Sequence, residues 1–344
     1  MTFIIAKERI TSWLRKLIKQ GILVAPVSLA NGDVIFKELL TPDNILLEYD
    51  QPLFSPKNFF FPQQETLFKF TKQSPQNLEA IFDKFPRVFF GLRPCDVKAL
   101  NQADVFFSEY YPDPYYSWRR KRTLIITNSC TQPLSRCFCN LMGCSPSYQQ
   151  GSDVFLLDIG DVFLATAHSE KGEKAIETFR HFFAEADICQ LECAKHLVSE
   201  AEATLENHIP ASTKIPDITQ MPSAFWEKIS KRCFSCGSCS YNCPLCFCYN
   251  IVDRADGSFG KRIRTWDSCI FEGFSRMAGG HNLDKNKAQR LQKRFTHKLK
   301  LYPEKYNTPG CTGCGRCSSA CLGRIGMKEV LQAMDKEVSG DAQK

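Results

Sequence analysis

The sequence predicts two parts of unlike architecture: an α/β domain over residues 1–208 and, across a linker at 209–222, a mainly helical domain over 223–344. Three observations carry this. Short β-rich runs alternate with helical patterns through the first two hundred residues. Residues 209–222 (IPASTKIPDITQMP) then place Pro210, Pro216 and Pro222 in a stretch with little apolar periodicity, the composition of a linker. Beyond it lie eleven of the 18 cysteines. With 344 residues and 43% hydrophobic content, the chain is long enough for two cores.

The elements follow in order. Residues 6–20 (AKERITSWLRKLIKQ) put Ile10, Trp13, Leu14, Leu17 and Ile18 on one helical face, and Gly21 is a stop signal. Strand patterns run over Ile22–Val27, Val34–Phe36, Arg87–Leu92 and Thr123–Thr127. Val154–Ile159 and Val162–His168 flank Gly160-Asp161 and read as a hairpin. Helical patterns at 172–185 and 190–206 close the first domain. The second opens with a helix over SAFWEKISKR.

That helix leads into Cys233-x2-Cys236-x2-Cys239-x3-Cys243-Pro244, and the spacing recurs in Cys311-x2-Cys314-x2-Cys317-x3-Cys321. Three thiolates on a curled loop reach three irons of one cubane while the fourth points away, usually to a neighbouring cluster. The expected sets are therefore Cys233, Cys236, Cys239 and Cys321 around one 4Fe-4S cluster, and Cys311, Cys314, Cys317 and Cys243 around a second. The domain is then ferredoxin-like, and its expected function is electron transfer. Leu322 stands where the first run has Pro244, a small departure. Zinc also uses C-x2-C pairs, but four ligands at one tetrahedral point are better served by two pairs separated by a longer loop. The 67 residues between Cys243 and Cys311 exceed a compact ferredoxin and imply an elaborated insert.

Two strand patterns in the first domain end in cysteine, RVFFGLRP at Cys95 and TLIITNS at Cys130, and Cys137 and Cys139 follow the second. Ligands gather at the carboxyl ends of strands in open α/β sheets. These four could hold a third 4Fe-4S cluster, with Cys144 a spare candidate; equally, free cysteines are often structural core thiols. Cys246, Cys248 and Cys269 read as core or supporting thiols, and Cys189 and Cys193 as helix packing. Arg264, Trp266 and His281 are either cluster-tuning residues or packing of the insert.

Other functions find little purchase. No G-x-G-x-x-G follows a predicted strand and no Walker A sequence appears, so a nucleotide site on this chain is unsupported. The net charge of +7 is concentrated beyond Ser223, with 21 Lys and Arg against 11 Asp and Glu. Lys285–Lys300 (KNKAQRLQKRFTHKLK) is a basic helix with Leu291, Phe295 and Leu299 on one face. A zinc-stabilised nucleic-acid binder is the rival it suggests; Arg290, Arg294, His297 and Lys298 fit better as counter-charge for clusters or as a partner surface. Lys7, Glu8 and Arg9 fall where a signal peptide needs an apolar run, and no stretch approaches the ~18–20 apolar residues of a membrane span. The cysteines are expected reduced, in the cytoplasm, without direct membrane insertion.

The motifs also resemble a family. Gly91-Leu92-Arg93-Pro94-Cys95-Asp96, Asp113-Pro114-Tyr115-Tyr116, Cys137-Phe138-Cys139, Cys243-Pro244-Leu245-Cys246-Phe247-Cys248, Trp266-Asp267-Ser268-Cys269, Ala278-Gly279-Gly280-His281-Asn282 and Gly313-Cys314-Gly315-Arg316-Cys317 occur in this order. Together they resemble the iron-sulfur β subunits of cytosolic sulfhydrogenase-type NiFe hydrogenases and the related A subunit of anaerobic sulfite reductase. The resemblance implies a non-catalytic relay between a flavin subunit that meets NAD(P)H and a catalytic NiFe or sirohaem subunit. It also implies the third cluster at Cys95, Cys130, Cys137 and Cys139. Asp267 and AGGHN favour the hydrogenase branch.

Overall fold

The computed structural model describes residues 2–19, 21–71 and 77–340. It divides into two units, Met1–Pro56 with Asp83–Ala211, and Lys57–Phe82 with Ser212–Lys344. Its strands are β1 (Thr2–Ala6), β2 (Ile22–Ser28), β3 (Val34–Leu39), β4 (Gln64–Thr71), β5 (Glu79–Ala80), β6 (Arg87–Leu92), β7 (Thr123–Asn128), β8 (Val154–Asp158), β9 (Val162–Ala167), β10 (Phe183–Glu185), β11 (Tyr249–Asp256) and β12 (Phe259–Trp266). Its helices are α1 (Lys7–Leu17), α2 (Lys57–Phe60), α3 (Pro94–Ser108), α4 (Pro114–Lys121), α5 (Glu170–Glu177), α6 (Ile188–His208), α7 (Ser223–Ser230), α8 (Ser238–Tyr241), α9 (Lys287–Thr296), α10 (Tyr302–Tyr306), α11 (Arg316–Ser319) and α12 (Met327–Ser339).

The first unit is an α/β fold on an eight-stranded sheet in the order β10-β1-β9-β8-β7-β6-β2-β3. Strands β2, β6, β7 and β8 are parallel neighbours, and the flanking pairs are antiparallel. Strand alternation sorts the two faces. Val154 and Leu156 pack with Ile10, Trp13 and Leu14 of α1 and Ile176 of α5, whereas Phe155 and Leu157 turn to Ala194 of α6. Trp13 Nε1 donates to the Ala175 carbonyl at 3.2 Å, which satisfies the one polar atom of this buried ring. The expected hairpin is present as β8 and β9, with Gly160 at φ 109° in its turn.

The first unit departs from expectation at several elements, β1, α3, α4 and β10 among them. The helical pattern over 172–185 ends early, because Phe183 to Glu185 pair with β1 as an edge strand. α3 was not foreseen: ten of its fifteen residues are buried, so it shows no polar face and no amphipathic period. Pro94 at its first turn sets the helical start directly after β6.

The second unit is a mixed structure. Besides its helices it holds a four-stranded antiparallel sheet, β11-β12-β4-β5, which corrects the expectation of a mainly helical domain. The domain boundary needs a second correction: residues 57–82 leave the first unit and supply α2, β4 and β5 to this one. The physical reason is the pairing of β4 with β12 from Gln64↔Thr265 to Thr71↔Phe259. Opposite residues Glu65 and Arg264 form a buried ion pair across it, Nε to Oε1 at 2.7 Å. Gly257-Ser258, with Gly257 at φ 56°, closes the β11–β12 hairpin between the paired Asp256 and Phe259.

Candidate metal centres

The two C-terminal cysteine runs fold alike, position by position. Ser235 (φ 53°) and Gly237 (φ 75°) in the first correspond to Gly313 (φ 66°) and Gly315 (φ 72°) in the second. Each pair of left-handed residues curls the loop between the cysteines, and each second member opens a one-turn helix, α8 or α11, that carries the third cysteine. Gly237 has a further constraint: a Cβ there would lie 2.6 Å from the Phe271 ring.

Backbone amides point at the sulfurs these loops present. Ser235 N–H donates to Cys233 Sγ, Gly313 N–H to Cys311 Sγ, Leu245 N–H to Cys243 Sγ and Ile325 N–H to Cys321 Sγ, each at 3.4 Å, and Met327 N–H to Cys317 Sγ at 3.3 Å. N–H donors to sulfur stabilise the thiolate form that a cluster requires. The grouping is crossed. Cys321, from the second run, lines one pocket with Cys233, Cys236 and Cys239. Cys243, from the first run, lies among Cys311, Cys314 and Cys317, all four buried.

Their environments differ. Burial raises Cys314 and Cys317 and pushes Cys311 up to about 12; in the other set Cys236 is exposed, and the Ser238 side chain lowers it. Among the described residues no group of three or more His, Cys, Asp or Glu is placed to hold a single metal ion. Two sets of four thiols with inward N–H groups fit a larger thiolate-bound body.

The basic helix turns its charge inward. Arg290, Arg294 and Lys298, one turn apart, are all buried. Arg290 donates to the carbonyls of Ile270, Asp284 and Lys285, Arg294 to Cys239 at 3.1 Å and Lys298 to Gly310 at 2.7 Å. Burial opposes the charge on Arg294 and Lys298, yet the surrounding thiols more than reverse this and raise both. Lys57, from α2, joins them: its Nζ donates to Ser240 O at 3.1 Å and Cys246 O at 2.8 Å and sits 3.9 Å from the Trp266 ring centroid. Burial lowers it to about 8, against the pull of Cys246, Cys243 and Cys248. No local pattern marks Lys57 in the sequence.

The remaining candidates divide. Cys246 sits beside Cys243, and Cys269 directs its thiol and its N–H at Cys248, which lowers Cys248. Arg264 is engaged by Glu65, Trp266 donates to Phe61 O at 2.9 Å, and His281 is exposed. Cys189 and Cys193 are exposed on α6.

The N-terminal cysteines are gathered by the sheet. β6 and β7 are adjacent and parallel, so Cys95, three residues beyond one, and Cys130, two beyond the other, leave the same edge. Cys130 lies near Cys137, and Cys139 lies near Cys144, Cys137 and Cys130. The spare candidate Cys144 is thus part of the group, its N–H bonded to Cys139 O at 2.9 Å. Burial raises Cys130 and Cys139 and pushes Cys144 up to about 12. Cations accompany this group too: Arg93 donates to Ser129 O at 2.8 Å and lies near Cys130 and Cys95, and Lys98 donates to Met142 O at 2.7 Å.

Residues 232–325, which carry the doubled cysteine runs with crossed grouping, match the family described as a 4Fe-4S dicluster domain. The match encloses both runs and the insert. More particularly, the chain is 29% identical over 328 residues to the Sulfhydrogenase 2 subunit beta of Pyrococcus furiosus, covering 94% of this chain and 95% of that one. This fits the family to which the ordered motifs pointed, and an iron-sulfur electron-transfer role follows. No helix among the described residues is long and apolar enough to cross a membrane.

Proposed function

We propose that this chain is the relay subunit of a cytoplasmic multisubunit oxidoreductase of the sulfhydrogenase type. It passes single electrons between a flavin subunit that meets NAD(P)H and a NiFe catalytic subunit. Cys233, Cys236, Cys239 and Cys321 hold one 4Fe-4S cluster, Cys311, Cys314, Cys317 and Cys243 a second, and Cys95, Cys130, Cys137 and Cys139 a third.

The observation that carries the reading is the crossed grouping, in which the last cysteine of each run stands with the first three of the other. Each run then serves both centres, which ties the two together. Such clusters supply reversible one-electron storage. The chain supplies the rest: N–H groups that favour thiolate over thiol, buried cations against accumulated negative charge, and a shell that limits water around one set. The similarity to a sulfhydrogenase β subunit supports the partner assignment.

Iron and acid-labile sulfide, measured per chain on protein purified without oxygen, test the reading alongside low-temperature EPR after dithionite reduction. About twelve irons with interacting S = ½ signals are expected. Zinc without sulfide would overturn the relay, and co-purification with a sirohaem subunit would move it to the sulfite reductase branch.

A further inference from the structure

Lys57, Arg294 and Lys298 reach the C-terminal cysteines from three places: α2, α9 and the π-helical turn that follows α9. None is more than 5% exposed. Their hydrogen bonds among the described residues go to backbone carbonyls of the cysteine-bearing segments, and no carboxylate pairs with them. Arg294 Nε, also buried, has no hydrogen-bond partner there. A buried cation without an anion is strongly unfavourable, so three together imply a negative body at this place. Lys57 and Lys298 both face Cys243 and Cys246, Lys298 also faces Cys311, and Arg294 faces Cys239, Cys317 and Cys243.

The other set is served differently. Only Arg294 reaches it from the three, and Lys287 adds a bond to Cys233 O at 3.0 Å from a half-buried position. With Cys236 exposed, water screens much of that site. The buried set has no such screening, and each electron it accepts adds negative charge to a low-dielectric region.

We propose that Lys57, Arg294 and Lys298 form a fixed cationic clamp that keeps the cluster of Cys243, Cys311, Cys314 and Cys317 reducible and makes it the first of the two C-terminal clusters to accept an electron. The proposal rests on the two clusters of the proposed function. It gives the excursion of residues 57–82 a purpose, since that segment delivers Lys57. Electrons then run from the exposed set inward.

The test is an EPR-monitored potentiometric titration of the whole protein, with iron and sulfide counted first. Lys57→Met and Lys298→Met should keep their iron and lower the reduced-to-oxidised ratio of the first-reduced C-terminal cluster at least tenfold at fixed potential, a 59 mV shift for a one-electron couple. Arg294→Met should do the same and Arg294→Lys should restore most of it. Lys293→Met, on the exposed side of the same helix, should leave the midpoint in place; an equal shift there would overturn a local effect. Fully loaded variants with the wild-type midpoint would overturn the clamp and leave the relay standing, whereas wild-type protein without sulfide would remove the relay itself. If Lys57→Met loses iron, Lys57→Arg decides: iron retained with the charge supports the clamp, and iron lost in both assigns Lys57 to shape alone.

Discussion

The two cysteine regions gather their thiols by opposite routes. In the C-terminal unit, three thiols of each set come from one seven-residue run, and left-handed residues at matched positions aim them. In the N-terminal unit, the thiols come from two strand ends and a loop, so the sheet must form before they meet. A ligand set written into local spacing is close to independent of the fold around it; one assembled by strand order has that fold as a precondition. Both regions nevertheless bring cations to the thiols: buried Lys57, Arg294 and Lys298 in one, half-buried Arg93 and buried Lys98 in the other. The route by which the thiols meet does not alter this company of cations.

The largest expected effect breaks the local route. Cys314→Ala should remove about four irons per chain and abolish the magnetic interaction between the C-terminal clusters. Anaerobic iron analysis with EPR reads both, and unchanged iron would show that Cys314 is no ligand. Cys137→Ala breaks the assembled route instead. It should lower iron from about twelve to about eight and leave the C-terminal signals in place. Loss of all clusters from Cys137→Ala would mean that the two regions depend on each other, and the contrast drawn between them would fail.

This contrast also explains what was legible in the sequence. The crossed grouping of the eight C-terminal cysteines could be read because spacing within a run is a local code. The hairpin of β8 and β9 could be read from alternation around Gly160-Asp161. Lys57 could not, because it reaches the cysteines only through a sheet whose strands β4 and β12 lie nearly two hundred residues apart. Periodicity carries no information on such pairing. α3 escaped for another reason: a helix buried on most sides has no polar stripe to reveal it. The burial of Arg290, Arg294 and Lys298 agrees with the counter-charge reading of the basic helix and not with a solvated face.

The sheet that holds the 57–82 segment offers a sharper, smaller test. Glu65 and Arg264 are 8% and 4% exposed, and Glu65→Ala leaves the guanidinium buried without its carboxylate. A cost of about 3–5 kcal/mol is expected, read as a lower thermal midpoint for the C-terminal unit. Replacing both residues with apolar ones of similar volume should recover much of it. If the clamp depends on this sheet, the double variant also keeps its cluster potentials.

The N-terminal counterpart is weaker and depends on pH. Asp83 bridges Arg87 at the start of β6, Nη1 to Oδ2 at 2.7 Å, and Arg119 of α4, Nε to Oδ2 at 2.9 Å. Partial burial pushes this carboxyl up, but Arg119 and Arg87 outweigh it and hold the pKa below the ordinary aspartate value. A carboxylate with a depressed folded-state pKa adds stability that is complete above the unfolded value of about 3.9 and is lost as pH falls through the folded one. Asp83→Asn should therefore cost roughly 1–2 kcal/mol near neutrality, since one partner is almost fully buried and the carboxylate is partly exposed. The gap between wild type and variant should stay constant from pH 7 to about pH 5 and close below ~4. A gap that persisted in acid would assign the loss to packing at the foot of β6, the strand that delivers Cys95, and so to the assembled scaffold itself.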